Sequence, residues 1–317
     1  MQRTLVTGAN GFVGQQLCRM LLEDGQHVIA LTSGTPASPG AACPQLQCDI
    51  RDSEAVARAI ALARPTHVVH LAAISNVPTS FANPELTWQT NVLGSLNLME
   101  ALRLHAPEAF TLYVSSSEVY GASFKQGQAV DEQTACHPMN PYAASKLAGE
   151  IAVNEYFRQG MRGVIARPFN HIGEHQSPKF VTASFARQIA MAEAGLQPPI
   201  IQVGNLEARR DFLDVRDVCN AYLQLLKPLR ENTGPARCFN IASGQTHRIR
   251  DVLEALLAMS PRAISIEQDP KRLRPSDIPI ATGNSMAIKQ ATGWQPTTPL
   301  HETLERLLHY WRAQFAL

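Results

Sequence analysis

The chain has 317 residues, 45% of them hydrophobic and 17% charged, with a formal net charge of +1 at pH 7. That is length for one large α/β domain, or a large and a small one, with the balance of an ordinary soluble globular protein. The near-zero charge leaves no electrostatic footprint for nucleic acid or a membrane surface, and no apolar run approaches the roughly 20 residues of a membrane-spanning helix. The N-terminus enters a strand directly, without the apolar region of a signal peptide. The six cysteines, Cys18, Cys43, Cys48, Cys136, Cys219 and Cys238, form no C-x-x-C pair and have no histidine at ligand spacing. They read as reduced thiols of a cytoplasmic protein, not as a disulfide frame or a zinc site, and no metal is expected.

Arg3 to Thr7 reads as a short buried strand. It runs into Gly8-Ala9-Asn10-Gly11-Phe12-Val13-Gly14 and then a segment with Leu17, Met20, Leu21 and Leu22 at helical spacing. Strand, glycine turn and helix in that order form a dinucleotide-binding turn. Gly8 allows the tight turn, Gly11 lets the backbone approach a pyrophosphate, and Gly14 lets the helix pack close to the strand. The helix N-terminus, with Phe12 and Val13, offers unpaired N–H groups to the phosphates. The second strand is His27 to Leu31. A selector for the cofactor ribose is expected at its end, but Thr32-Ser33-Gly34 supplies neither an acid nor a base. NADPH or NADH are both open, with the missing acid tilting toward NADP or dual use. Asp49, beside Ile50, has two readings: a contact to the adenine amino group, or the cap of a helix at 53 to 63.

Thr66 to Leu71 is a third strand, followed by Ala72-Ala73, small residues that let the backbone lie against a cofactor. Its His70 reads as a core histidine. A helix from about Pro84 to Leu104 contains Asn91. The fourth strand, Phe110 to Val114, ends in the cluster Ser115-Ser116-Ser117-Glu118-Val119-Tyr120-Gly121, at the strand end where such sheets bind ligands. Then comes Pro141-Tyr142-Ala143-Ala144-Ser145-Lys146, at the start of a predicted helix over 141 to 159. Tyr142 and Lys146 lie one turn apart on one helix face. A free tyrosine titrates near ~10 and a nearby ammonium lowers that value. Such a pair can protonate an alkoxide as it forms, or deprotonate an alcohol as it is oxidised.

Together these motifs resemble the extended short-chain dehydrogenase/reductases that act on nucleotide sugars. The resemblance rests on Thr7 to Gly14, His70-Leu71-Ala72-Ala73, Asn91-Val92-Leu93-Gly94, Ser115 to Gly121, Tyr142 to Lys146 and Arg167-Pro168-Phe169-Asn170. Arg167 to Gly173, Phe180-Val181, Ala186 to Ala190 and Arg210 to Val215 narrow it to the GDP-4-keto-6-deoxy-D-mannose reductases, which form GDP-D-rhamnose. The resemblance implies a doubly wound parallel α/β sheet (Rossmann) with a smaller α/β substrate-binding lobe. It implies a dinucleotide-binding domain of residues 1–168 with 205–242, a lobe of 169–204 with 243–290, and a C-terminal helix within 291–317. Ser116 would hydrogen-bond the C4 carbonyl oxygen, Tyr142 would give it a proton, and Lys146 would hold the cofactor ribose and lower the tyrosine pKa. Asn91 would relay protons toward Lys146 through water. Gly8, Gly11, Phe12, Val13, Asp49, Ile50, Leu71, Ala72 and Ala73 would line the cofactor. Asn170, Arg187, Arg210, Arg274 and Asp277 would bind the GDP-sugar, with Arg210 set to grip its diphosphate and Arg209 pointing elsewhere. The helices at 84 to 104 and 141 to 159 would pair in a homodimer.

Glu118 divides the activity. An acid here takes the C5 proton in the related GDP-mannose 4,6-dehydratases; alternatively it only contacts sugar hydroxyls. A non-catalytic dinucleotide-sensing protein is the reading outside enzymes, opposed by the intact Ser116, Tyr142 and Lys146. The motifs leave the C4 stereochemistry open between D-rhamnose and 6-deoxy-D-talose.

Overall fold

The structure, a computed structural model, describes residues 2–34, 43–228, 238–272 and 278–315. The first half alternates strand and helix: β1 (Arg3–Thr7), α1 (Phe12–Glu23), β2 (His27–Thr32), β3 (Gln45–Gln47), α2 (Ser53–Ala63) and β4 (His67–His70). Two short helices follow, α3 (Val77–Ala82) and α4 (Pro84–Trp88), then α5 (Gly94–His105), β5 (Phe110–Val114), α6 (Pro141–Arg158) and β6 (Gly163–Pro168). The second half holds β7 (Asn170–Ile172), α7 (Val181–Glu193), β8 (Ile200–Val203), β9 (Arg209–Asp214), α8 (Val215–Leu225) and β10 (Cys238–Ile241). It ends with β11 (Thr246–Arg248), α9 (Ile249–Ala258), β12 (Ser265–Gln268), β13 (Ile280–Ala281), α10 (Met286–Thr292) and α11 (Leu300–Phe315).

Seven strands form a parallel sheet in the order β10-β6-β5-β4-β1-β2-β3. The apolar runs of β1, β2 and β4 are buried along nearly their whole length, as strands covered on both faces must be. Helices α2, α5 and α6 cover one face, α1 and α8 the other. The strand order reverses between β1 and β4. A doubly wound sheet binds ligands beside the carboxyl ends of the strands at such a switch point, and both the Gly8 turn and Leu71–Ala73 sit there. Gly8 has φ +66°, and a Cβ on it would fall 2.9 Å from the Ala72 backbone nitrogen. The two loops therefore touch backbone to backbone.

The smaller lobe is built on β9, which pairs with β7, β11 and β13, together with a two-stranded β8–β12 sheet. Its core comes from α7, α9 and α11, with Leu304, Leu307, Leu308 and Trp311 as the inward stripe of α11. The expected boundaries need correction at three places. Residues 209–214 belong to the small-lobe sheet, because β9 pairs with no strand of the large one. Ile288 lies in the large core although 243–290 is expected in the lobe, and Ala291 and Trp294 from 291–317 join it there. The C-terminal helix is part of the small lobe's core.

The predicted helix from Pro84 to Leu104 forms with a flaw in its middle. Gln89–Leu93 is a π-helical turn joining α4 to α5. Such a bulge releases one turn from the regular hydrogen-bond ladder and is frequent at functional sites; Asn91 lies within it.

Candidate active site

The cofactor cradle follows from the first turn. Gly14 permits no side chain: a Cβ there would lie 2.3 Å from the Gly8 carbonyl oxygen and 2.7 Å from the Ala9 Cα. Gly11 is the N-cap of α1, and no side chain caps that end. The first-turn N–H groups are left to an anion, and the residues fit a dinucleotide pyrophosphate. Phe12 stacks on His171 with ring centroids 5.9 Å apart. Val13, Leu71, Ala72 and Ala73 are partly exposed along the same edge. The Thr7 hydroxyl braces the loop. It accepts from the N–H groups of Leu71 and Ala72, both at 3.1 Å, and so donates to His70 Nδ1 at 2.7 Å. His70 Nε2 then donates to Ser95 Oγ at 3.0 Å. Burial pulls the His70 imidazole down to about 3, with Lys146 adding to the effect, so it stays neutral as a core histidine.

Asp49 is not the cap of α2. Asp52 holds that position and accepts from the Ala55 N–H, while Asp49 grips Arg51 through both its oxygens. That ion pair is about 40% exposed and free to meet a ligand edge. The Ile50 side chain is buried in the core and packs against Gly94, which leaves only its backbone for a cofactor. Thr32 is buried at the end of β2, with its hydroxyl directed to the Gly34 carbonyl.

Tyr142 and Lys146 are held by α6. Asn140 caps this helix, its Oδ1 accepting from Ala143 N–H at 2.8 Å, and Pro141 occupies the first turn. The Tyr142 N–H donates to Ser80 Oγ at 3.1 Å. The first turn of α6 is thus pinned twice, once by its cap and once from α3. A Cβ on Gly149 would sit 2.0 Å from the Tyr113 hydroxyl, so α6 lies directly on β5. The Lys146 Nζ stands 4.7 Å from the Tyr113 ring centroid, a cation–π contact in a dry setting. Burial pulls the Lys146 ammonium down to about 8, against the Glu150 carboxylate, which raises it.

The Tyr142 phenol behaves differently from expectation. Burial pushes it up to about 12, the Ser116 hydroxyl opposing and Glu118 adding to the rise. The expected lowering by Lys146 is not seen, because desolvation of the buried phenolate dominates. At neutral pH Tyr142 therefore carries its proton, the state needed to donate to a forming alkoxide.

Ser116 lies two residues past β5 and caps a single 3₁₀ turn, Ser117–Tyr120, its Oγ accepting from the Glu118 N–H at 3.2 Å. Glu118 is tied back to the helix cap, accepting from Asn140 Nδ2 at 3.1 Å. Asn91 acts as a brace: its Oδ1 accepts from Ile74 N–H, and its Nδ2 donates to the Ile74 carbonyl and Ser145 Oγ. Its side chain thus positions α6 and the β4 loop.

On the sugar side, Asn170 is exposed at the start of β7. Arg210 donates to the carbonyls of Arg209 and Ile278. Burial lowers its pKa while the Glu118 carboxylate works against that. Arg209 points the other way, to Thr246. Arg187 is a correction: its guanidinium lies 6.0 Å from the Trp311 ring and 5.8 Å from Phe315, packing α7 on α11. Arg274 and Asp277 lie outside the described residues. Sequence reasoning missed Asp211, which is buried and accepts from Ser243, Gly244 and Gly283, locking β9 to the loops beside it. It also missed the Asn140 cap, although an asparagine before a helix-starting proline was the available signal.

A switch-point glycine turn beside a buried Ser–Tyr–Lys set defines a dinucleotide-dependent short-chain dehydrogenase/reductase. The chain matches the GDP-mannose 4,6 dehydratase family over residues 5–307, and it belongs to that family. It is 36% identical to the GDP-6-deoxy-D-mannose reductase of Pseudomonas aeruginosa, over 99% of this chain and 98% of the relative. It is 27% identical to the GDP-6-deoxy-D-talose 4-dehydrogenase of Aggregatibacter actinomycetemcomitans, over 92% and 91%. Among solved structures, RMD from Pseudomonas aeruginosa complexed with NADPH superposes with a TM-score of 0.85 at 35% identity, covering 99% of this chain and all of that one.

Proposed function

We propose that this enzyme reduces the 4-keto group of GDP-4-keto-6-deoxy-D-mannose, giving GDP-D-rhamnose or its C4 epimer. The observation that carries the reading is the buried Tyr142 phenol, one helical turn from buried Lys146 and near Ser116, on a cradle fitted to a dinucleotide. The similarity to a reductase over nearly the whole chain supports it. A reduced nicotinamide dinucleotide, when bound, supplies the hydride. Ser116 donates its hydroxyl hydrogen to the carbonyl oxygen and orients it. Tyr142 delivers the proton as charge develops there. Lys146 holds the cofactor ribose and the local positive charge. Arg210 and Asn170 take the diphosphate and sugar, and the Asp49–Arg51 pair takes the adenosine end.

Glu118 is a brace in this account, spending its carboxylate on Asn140. The purified enzyme is expected to oxidise NADPH or NADH one for one with added 4-keto sugar, and to leave GDP-mannose unchanged without reductant. Accumulation of the 4-keto sugar from GDP-mannose would move the assignment to a dehydratase. Glu118→Gln keeps an oxygen for Asn140, so turnover is expected to stay within about tenfold of wild type, below the usual effect of losing a catalytic acid or base.

The active form is a homodimer in the cytoplasm. Phe81, Trp88, Leu93, Leu104 and Ile151 are exposed on α3 to α6 and the π turn, a cluster of large apolar groups that suits self-association. Sedimentation at twice the chain mass checks this. Among the described residues no helix is long and apolar enough to cross a membrane.

A further inference from the structure

We propose that Glu150, Arg167 and Tyr120 form a buried positioning network that fixes Ser116 against Tyr142 and sustains the charge on Lys146. It rests on the roles proposed above for Ser116, Tyr142 and Lys146.

Tyr142, Lys146 and Glu150 recur every four residues on α6, so they share one stripe of the helix. The Glu150 carboxylate accepts from Arg167 Nε at 2.9 Å and Nη2 at 2.6 Å, with side chains only 4% and 9% exposed. The remaining Arg167 nitrogen, Nη1, donates to the Tyr120 hydroxyl at 3.0 Å. That hydroxyl donates to Asn240 Oδ1 at 2.8 Å, and the Asn240 N–H donates to Glu132. One chain of contacts thus joins α6, β6, β10 and the 3₁₀ turn that Ser116 caps. Ser116 and Tyr142 come from separate elements, and this network braces the two from behind, alongside the bond from Asn140 to Glu118.

Burying an ion pair is a poor way to stabilise a fold, since desolvation offsets most of the attraction. Its position beside Lys146 gives it another use. The groups facing Lys146 are Glu150 and Tyr142 on its own helix, the Tyr113 ring from β5, and neutral His70 from β4. Arg167 from β6 stands behind Glu150 as its partner. Glu150 is the one carboxylate among these groups, so it opposes the desolvation of the ammonium.

The test is the pH profile of kcat/KM at saturating NADPH, with thermal stability measured alongside. Wild type is expected to lose activity as pH rises through about 8, as the Lys146 ammonium deprotonates. Glu150→Gln is expected to move that limb down by about one unit, and Arg167→Met, which leaves the carboxylate unpaired, to move it up. Tyr120→Phe is expected to lower kcat about tenfold, an effect within the range for misplacing a catalytic group, with the limb unmoved. If a single charge variant is too unstable to purify, E150Q/R167M keeps the test open, and its limb still falls. A limb that stays in place in these charge variants, or that moves the same way in both single ones, overturns the network's electrostatic role; unchanged kcat in Tyr120→Phe overturns its positional role. A limb that persists in Lys146→Met instead sinks the underlying assignment of Lys146, so the two failures are distinguishable.

Discussion

Tyr142→Phe is expected to lower turnover about 10²- to 10⁴-fold while NADPH affinity stays within about twofold of wild type. The substitution removes one oxygen and keeps the ring, so the packing of α6 on its neighbours survives. The phenol is buried, next to Ser116, and pushed up to about 12. It is therefore a stored proton, and no other described hydroxyl of the site is held in the same way at the start of α6. Steady-state kinetics and a fluorescence titration with NADPH separate the two quantities. Turnover within about fivefold of wild type would place the proton donor elsewhere.

The second large effect is on the cofactor. Gly14→Val is expected to weaken NADPH binding about 10- to 100-fold, the scale of overpacking a tight contact by about 1–3 kcal/mol. The added Cβ alone meets the Gly8 carbonyl oxygen at 2.3 Å and the Ala9 Cα at 2.7 Å. Both are backbone atoms in a turn whose Gly8 already has φ +66° and touches Ala72. Neither can step aside without moving α1 off the sheet, and with it the N–H groups that face the pyrophosphate. The circular dichroism spectrum is expected to be retained. NADPH affinity equal to wild type would show that the phosphates are bound elsewhere.

The sequence made local chemistry legible and long-range contacts largely not. Gly8, Gly11 and Gly14 announce a dinucleotide turn because each glycine answers a backbone requirement between a strand and a helix. Tyr142 and Lys146 are legible because helical periodicity alone puts them on one face. Arg187 was misjudged because a positive charge on an amphipathic helix does not declare which neighbour it covers, and the aromatic rings of α11 lie over a hundred residues away. The Glu150–Arg167–Tyr120 network and the Ser80 brace on Tyr142 join residues distant in the chain, and periodicity within one element carries no trace of them. Asn91 shows a subtler case. Its helix was legible, but the π turn that frees it to brace Ile74 and Ser145 depends on how α4 and α5 meet α6. The phenol of Tyr142 was expected to be acidified by its lysine; burial, invisible in the sequence, reverses the sign.

The most direct test of the central claim follows the hydride itself. The enzyme is supplied with GDP-4-keto-6-deoxy-D-mannose and NADPH carrying deuterium at the transferable nicotinamide position, each hydrogen face labelled in turn. The product sugar is then read by proton and deuterium NMR. The account predicts deuterium at C4, from one labelled face only, in a single C4 epimer that the same spectra identify as D-rhamnose or 6-deoxy-D-talose. A product with no deuterium at C4, or label at C6 instead, would contradict it.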